Sequence, residues 1–393
     1  MSGVHPRAIV VICDGLGVGA APDAERFGDT GTNTLAHVLR DGGAHLPNLT
    51  SLGLLHTLYD AAPAPLPEPR GAFGRMAEGS PGKDTTTGHW EMMGVSLDTA
   101  FPLFPDGFPP EVIGPFERAT GRKALWNRPA SGTEIIERFG AEHLATGNPI
   151  VYTSGDSVFQ IAAHEEVVPI DVLYRWCEKA RAILVGPYRV GRVIARPFLG
   201  VPGNFQRTHR RRDYSVLPPR PTLLDRLLAA GKKVHGIGKI EDIFAGRGLS
   251  SAVHTVSNRD GIERTIAAVR GGNDEFVFTN LVDFDAKFGH RNDPVGYARA
   301  MEELDTFLPE ILSALRPADL LLFSADHGGD PSDVSTDHTR EYVPVVAAGQ
   351  QVRPGFDLGT LPTFADLGAT VAEHLGLTAS EGASFLGRIR TVS

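Results

Sequence analysis

The chain has 393 residues, a formal net charge of -9 at pH 7, 41% hydrophobic residues and 22% charged residues. This length predicts two domains, or one large domain with an insertion, and the composition excludes a disordered protein. The acidic balance argues against a general nucleic-acid binder. Only two cysteines are present, and no apolar stretch is long enough to span a bilayer, so we expect a cytoplasmic protein with no membrane and no nucleic-acid partner.

A continuous β-branched run, Ala8 to Cys13, predicts a strand buried on both faces of a parallel sheet. Asp14 follows it, at the edge where open α/β sheets bind ligands. The next residues, Gly15, Gly17 and Ala20, fit the dinucleotide-binding fingerprint after a strand. The segment after them is full of helix breakers and cannot form the helix that this fingerprint requires. We therefore reject a nicotinamide site here.

A threonine-rich segment, Gly82 to Glu91, follows a loop rich in glycine and proline. It leads into Trp90 to Met93, which can begin a helix. A hydroxyl at such a junction is predicted to lie near free backbone N–H groups and the positive end of a helix dipole, which together favour a phosphoryl group. The alternative is a threonine-rich N-cap that binds nothing. The segment alone does not decide between them.

Residues 98–220 differ from their flanks because they lack regular strand–helix alternation and contain many turn signals. We predict that they form a smaller inserted α+β domain. Within it we expect helices near 132–139 and 171–182 and strands at 149–153 and 190–197. The proline-rich segment 217–221 indicates the return to the first domain.

Strand–helix alternation resumes at Thr222, which is predicted to cap a helix. Further predicted elements are strands at 232–238, 275–281, 320–324 and 343–348, helices from Asn258 or Asp260 to Arg270 and from Pro294 to about Leu315, and a final helix to Leu375 with a capping box of Thr363 and Asp366. Repeated βα units predict a mostly parallel sheet sandwiched by helices. This catalytic core domain would comprise residues 1–97 and 221–393.

Three strand ends carry the side-chain types that bind metals. They are Asp14; Asp283, Asp285 and His290; and Asp326, His327 and His338. Each has an ordinary explanation alone, but all three are predicted to meet at one edge of the sheet. Carboxylates mixed with imidazoles suit Mn²⁺ or Zn²⁺ better than Mg²⁺ or Ca²⁺. A pair of such ions would activate a threonine hydroxyl, so the pattern predicts phosphoryl transfer through Thr85.

These motifs resemble those of the bacterial phosphopentomutases, which are metal-dependent members of the alkaline phosphatase superfamily. The resemblance runs nearly end to end, and it is carried by residues 82–91, 281–285, 289–290 and 325–328 and, in the insert, by 152–160 and 192–198. It implies an alkaline phosphatase-like core with an inserted cap domain. It also implies two Mn²⁺ ions per chain, one held by Asp285, His290 and His338 and the other by Asp14, Asp326 and His327.

The same resemblance implies that Thr85 carries the phosphoryl group. Residues implied to bind the sugar phosphate are Ser154, Asp156, Arg192, Arg196, Arg207 and Lys239. The implied reaction interconverts α-D-ribose 1-phosphate and ribose 5-phosphate, and the 2-deoxyribose pair, through a bisphosphorylated sugar. Glucose 1,6-bisphosphate or another sugar bisphosphate would prime the enzyme. Gly15 stands where many relatives have Ser, and Gly155 where Ala is frequent, but neither change removes a ligand.

Other functions remain open from the sequence. A phosphatase or phosphodiesterase would use the same metal core, and only the cap and the exclusion of water would separate it from a mutase. The cofactor-independent phosphoglycerate mutases normally have Ser where Thr85 stands. A protein that binds metal or sugar phosphate without turnover is disfavoured because Thr85 and six candidate ligands occur together. The oligomeric state is not determined, and a monomer is compatible with the sequence.

Overall fold

The computed structural model describes residues 5–154 and 157–391. The chain divides into two compact units. Met1–Ala100 and Pro218–Ser393 form the first, here the core unit, and Phe101–Leu217 form the second, here the inserted unit. Among the described residues, no helix is both long and apolar enough to cross a membrane.

Each unit is built on its own sheet. The strands in chain order are β1 (Ala8–Cys13), β2 (Ala72–Met76), β3 (Leu125–Pro129), β4 (Ile150–Thr153), β5 (Val158–His164), β6 (Arg192–Val201), β7 (Asn204–Arg207), β8 (Arg212–Ser215), β9 (Val234–Ile237), β10 (Ser251–Val253), β11 (Phe276–Leu281), β12 (Leu320–Ser324), β13 (Val343–Ala348) and β14 (Asp357–Leu361).

Helices connect most of these strands. They are α1 (Thr34–Asp41), α2 (Pro47–Leu52), α3 (Thr85–Met92), α4 (Pro110–Thr120), α5 (Gly132–Thr146), α6 (Ile170–Ile183), α7 (Leu223–Ala229), α8 (Ile240–Ile243), α9 (Asn258–Gly271), α10 (Pro294–Ser313), α11 (Ala365–His374) and α12 (Leu386–Ile389). A π-helical turn at Phe284–Phe288 and a 3-10 turn at Gly289–Arg291 follow β11.

The core unit contains an eight-stranded sheet in the order β10-β9-β11-β1-β12-β13-β2-β14. All of its strands run in one direction except β13, which is antiparallel to both neighbours. The central strands β1, β11 and β12 are buried along their whole length, as their continuous apolar runs predict. The expected mostly parallel α/β fold is therefore confirmed, and the ends of β1, β11 and β12 lie side by side.

Most predicted elements of the core unit are present within a few residues of the expected bounds. Thr222 makes a complete capping box with Asp225 at the start of α7. At α10, Asp293 caps the helix and Pro294 occupies its first turn, where a missing N–H costs nothing. These local signals depend on neighbouring residues alone, which explains why they could be predicted from the sequence.

One predicted capping box is not completed. Phe364, not Thr363, is the N-cap residue of α11, although the Thr363 hydroxyl accepts the backbone N–H of Ala365 at 3.1 Å. The Thr363 hydroxyl also donates to the carboxylate of Glu91 at 2.7 Å, and the Asp366 carboxylate accepts from the backbone N–H of Ala383 at 2.6 Å instead of closing the box. Partners distant in sequence have displaced the local pattern.

The inserted unit contains a six-stranded sheet, in which β3 to β7 follow chain order and β8 pairs with β6. One face packs on α4 and α6 through a cluster that includes Phe116, Phe159 and Trp176. The opposite face packs on α5 around Tyr152 and Phe198. The unit therefore has apolar cores of its own on both faces of its sheet.

Candidate functional site

The ends of β1 and β12 bring together the first group of candidate ligands. Asp14 follows β1, and Asp326 and His327 follow β12. All three side chains are buried, and their ligand atoms lie within 4.8 Å of one another. The Nε2 atom of His327 lies 3.3 Å from Asp14 Oδ1 and 3.4 Å from Asp326 Oδ2.

The second group lies after β11. Asp285 and His290 occur in the consecutive π-helical and 3-10 turns, and His338 comes from the loop after β12. His290 Nε2 is 3.3 Å from Asp285 Oδ2, and His338 Nε2 is 3.5 Å from Asp285 Oδ1. The rings of His338 and His327 stack with centroids 3.8 Å apart, so the two groups adjoin.

All three histidines present the same ring nitrogen to the groups. Their Nδ1 atoms donate to backbone carbonyls, at 2.9 Å for His327 to Gly328, 2.7 Å for His290 to Thr336 and 3.0 Å for His338 to Lys83. A carbonyl can only accept, so the proton lies on Nδ1 and Nε2 is left to bind a cation. This is the usual way in which a protein orients metal-binding imidazoles.

The hydrogen bonding of the two groups also indicates that each could hold a metal ion. Four of their buried atoms have no hydrogen-bond partner, namely Asp14 Oδ1, Asp285 Oδ1, Asp326 Oδ2 and His338 Nε2. Unpaired buried polar atoms are costly, and a cation would satisfy them. The donor set of carboxylate oxygens and imidazole nitrogens suits a divalent transition metal.

Opposite charges inside each group shift the pKa values of its members. Burial raises the pKa of Asp285, but His338 and His290 lower it more, and its pKa lies well below the usual range. The pKa of Asp326 is lowered in the same way by His327 and His89, which outweigh burial. Burial lowers the pKa of His327, yet Asp326 and Asp14 raise it well above the usual value. Anionic carboxylates thus face the positions available to a cation.

Gly15, where the resemblance implies Ser in many relatives, has a backbone conformation that favours glycine. Its φ of +79° is a conformation that side chains rarely adopt, and a Cβ there would lie 3.6 Å from both Asp285 and His327. The residue also donates its backbone N–H to Asp326 Oδ1 at 3.1 Å. A glycine therefore suits the turn that carries Asp14.

Thr85 lies at the first residue of α3 and is buried. Its hydroxyl is 3.3 Å from His327 Nε2, beside the first group. The expectation of free N–H groups at this helix end is wrong for two amides, because Asp84 caps the helix and accepts from Thr86 and Thr87 at 3.1 Å each. The helix also begins at Thr85 rather than near Trp90.

Lys239 is the one predicted substrate-binding residue in the core unit. It precedes α8, and its ammonium group donates to the Thr85 hydroxyl at 3.5 Å and lies 3.8 Å from Asp14 Oδ2. The structure therefore brings Thr85, Lys239 and the first group together. Asp283, by contrast, points elsewhere: its carboxylate accepts from the Asn258 N–H and from Lys287, both at 3.0 Å.

The other predicted substrate-binding residues belong to the inserted unit. Arg192 and Arg196 lie on β6 and Arg207 ends β7. Arg196 donates to Gln160 at 3.1 Å, and burial together with Arg211 lowers its pKa to about 10. Ser154 follows β4. Asp156 lies outside the described residues.

Several buried residues around Thr85 were not singled out from the sequence. His89 and Asn280 contact the candidate ligands, and the Arg340 guanidinium donates to the backbone carbonyls of Gly82 at 2.5 Å and Glu78 at 2.9 Å. A polar Asn inside the apolar run of β11 was the available signal for Asn280. Nothing local marks Arg340, since its partners are distant in sequence.

Comparisons with known proteins identify relatives over nearly the whole chain. The model of the metalloenzyme superfamily matches residues 6–379. A phosphopentomutase of Caldanaerobacter subterraneus subsp. tengcongensis is 54% identical over 381 residues, covering 97% of each chain. Another, of Anaeromyxobacter dehalogenans strain 2CP-C, is 53% identical over 391 residues, covering 99% of this chain and 100% of the relative. The PH0037 protein of Pyrococcus horikoshii shares the fold, with a TM-score of 0.50 and 17% identity over 97% of this chain and 100% of that one.

Proposed function

The chain belongs to the phosphopentomutases, a family of isomerases in the metalloenzyme superfamily, and from this premise we propose that it interconverts α-D-ribose 1-phosphate and ribose 5-phosphate. The 2-deoxyribose phosphates would react likewise. The observation that carries the proposal is the position of the Thr85 hydroxyl, which lies 3.3 Å from His327 Nε2 and 3.5 Å from the Lys239 ammonium group.

In the proposed reaction, phosphorylated Thr85 donates its phosphoryl group to the free hydroxyl of the pentose phosphate. The bond from phosphorus to the Thr85 oxygen breaks as the bond to the sugar oxygen forms, and the proton that the sugar hydroxyl loses is balanced by the one that the Thr85 oxygen gains. The product is a sugar bisphosphate. Its other phosphoryl group then returns to Thr85, which leaves the isomeric monophosphate. A sugar bisphosphate such as glucose 1,6-bisphosphate would supply the first phosphoryl group.

Two groups would hold divalent ions, Mn²⁺ in this proposal: Asp285, His290 and His338, and Asp14, Asp326 and His327. When bound, such ions polarise a phosphoryl oxygen and lower the pKa of a hydroxyl. The protein's own residues do the rest of the positioning. Asp84 fixes the first turn of α3, and the ammonium of Lys239 would offset the negative charge that develops near Thr85.

The arginines of the inserted unit are proposed to bind the phosphate that is not being transferred. Arg196 supports this, because it donates a hydrogen bond to the neutral amide of Gln160, and its pKa is lowered by burial and by another cation, Arg211. A positive charge next to like charges favours an anionic ligand, and the guanidinium fork matches phosphate geometry. Arg192, Arg207, Ser154 and Asp156 are proposed to complete the binding of the sugar phosphate.

The test is a time course with Mn²⁺, ribose 5-phosphate and a trace of glucose 1,6-bisphosphate, in which both ribose 1-phosphate and free phosphate are measured. We expect ribose 1-phosphate with little free phosphate. Thr85→Val keeps the side-chain volume and removes the hydroxyl, so it should lower the rate by at least about 10³-fold. Thr86→Val is the matched control and should stay active. Release of phosphate without isomer would contradict the proposal and indicate a hydrolase.

A further inference from the structure

His89 is a fully buried histidine, one helical turn after Thr85 on α3. Its Nδ1 atom lies 2.9 Å from the Thr85 carbonyl oxygen and 3.3 Å from Asp326 Oδ2. The carbonyl can only accept, so Nδ1 carries the proton. The N–H group therefore donates to the backbone of the proposed nucleophile, and the same nitrogen lies beside a carboxylate of the first candidate ligand group, close enough for a charge–dipole attraction but without a hydrogen bond.

Asn280 determines which ring nitrogen of His89 carries that proton. Its side-chain Nδ2 donates to Asp14 Oδ2 at 3.1 Å and lies 3.4 Å from His89 Nε2. A flipped amide would turn its carbonyl oxygen toward the Asp14 carboxylate, which is repulsive. Nδ2 is thus a donor, His89 Nε2 is an acceptor, and the Nδ1–H tautomer is the one that satisfies both neighbours.

The surroundings leave His89 little freedom to move. Its ring packs on Phe278, with centroids 5.7 Å apart. The residue before it, Gly88, lies against the backbone of Asp326, where a Cβ would come within 2.8 Å of the carbonyl carbon. Helix α3 therefore rests on the end of β12, and His89 spans the contact. Asp326 is held from its other side by the Gly15 N–H at 3.1 Å to Oδ1.

We propose that His89, kept as the Nδ1–H tautomer by Asn280, is a positioning residue that orients the Asp326 carboxylate and fixes the first turn of α3 to it. The inference rests on the proposed function in one respect, since it requires Asp14, Asp326 and His327 to bind a metal. His89 itself is not a ligand, because both of its ring nitrogens already have partners. The simpler alternative is a core histidine that contributes only to stability.

Two substitutions separate these roles. In His89→Asn, the amide NH₂ can occupy the position of Nδ1–H, still donate to the Thr85 carbonyl and keep its dipole beside the Asp326 carboxylate. In His89→Gln, the amide reaches the position of Nε2 and the Nδ1 donor is lost. Substitution of a group that orients a metal ligand typically lowers metal affinity about 10–100-fold. We therefore expect His89→Gln to weaken Mn²⁺ binding by at least about 10-fold and His89→Asn to stay close to the wild type.

Mn²⁺ affinity is measured by titrating metal-free protein and following free Mn²⁺ by electron paramagnetic resonance, with thermal unfolding in EDTA recorded for each variant. Wild-type affinity in both variants, or the same loss in both, would overturn the proposal. A protein that binds Mn²⁺ but does not isomerise pentose phosphates would contradict the proposed function and leave this affinity test intact.

A second measurement needs no variant that must fold. Nitrogen-15 chemical shifts of the histidine ring in the wild-type protein identify the protonated nitrogen of each residue. We expect His89 to carry its proton on Nδ1, with Nε2 unprotonated. A His89 that is protonated on Nε2 would refute the inference, because it could not then donate to Thr85 or present a positive dipole to Asp326.

Discussion

Replacement of Gly88 by Ala tests whether close packing of α3 on β12 positions the nucleophile. Helix propensity alone predicts that Gly88→Ala stabilises the protein by about 1 kcal/mol, since glycine is a poor helix former. The structure predicts the opposite. The new Cβ would lie 2.8 Å from the carbonyl carbon and 3.1 Å from the Cα of Asp326, both backbone atoms. Carbon atoms in contact rest about 3.5–4.0 Å apart, so α3 would have to retreat by about 1 Å.

Such overpacking costs about 1–3 kcal/mol, which should cancel or exceed the gain in helix propensity. Thr85, on the same helix, would move away from His327 and Lys239. A misplacement of about 1 Å can cost about 10²-fold in rate. We expect lower turnover by that order in the pentose phosphate assay, together with an unfolding temperature no higher than that of the wild type.

Gly271→Ala is the matched control. Gly271 is exposed at the end of α9, and a Cβ there would meet only the side chain of Asn273 at 3.6 Å. This variant should be fully active and equally or slightly more stable. If Gly88→Ala behaved like Gly271→Ala in both assays, the argument that the contact between α3 and Asp326 positions Thr85 would be refuted.

Three further predictions concern stability. The pKa of Asp213 is lowered to about 2, because Arg211 and Arg192 outweigh its burial. About 2 kcal/mol of stability should therefore be present above pH 4 and be lost as the pH falls toward 2. Asp213→Asn should lack this pH dependence in denaturation followed by tryptophan fluorescence, and an unchanged pH dependence would exclude Asp213 as its source. Glu91→Gln should destabilise the protein by about 3 kcal/mol in calorimetry, since both carboxylate oxygens accept hydrogen bonds, for example from Gly79 at 2.8 Å and Ser80 at 2.6 Å. An unshifted unfolding transition would show that these hydrogen bonds contribute little. Mn²⁺ at about 1,000 times its dissociation constant should stabilise the metal-free protein by about 4 kcal/mol, and an unfolding temperature that does not respond to Mn²⁺ would contradict the metal site.

Much of the fold could be predicted because the signals are local. The apolar run of β1, the Thr222 capping box and Pro294 at the start of α10 each involve only neighbouring residues, and each is present in the structure. Strand–helix alternation then limits the topology to a mostly parallel sheet. That topology alone places Asp14 and Asp326 at one edge, since both follow central parallel strands.

The residues that depend on distant partners could not be predicted. Thr363 and Asp366 have the local pattern of a capping box, but Glu91 accepts both the Thr363 hydroxyl and the backbone N–H of Phe364, and Asp366 accepts from Ala383. Asn280 lies 191 residues from His89, and no periodicity brings the two together. The sequence by itself predicted the buried central strands β1, β11 and β12 and named the six candidate ligands. Only the tertiary structure decided which nitrogen each histidine presents and how closely α3 approaches Asp326, because both depend on packing between segments that are far apart in the chain.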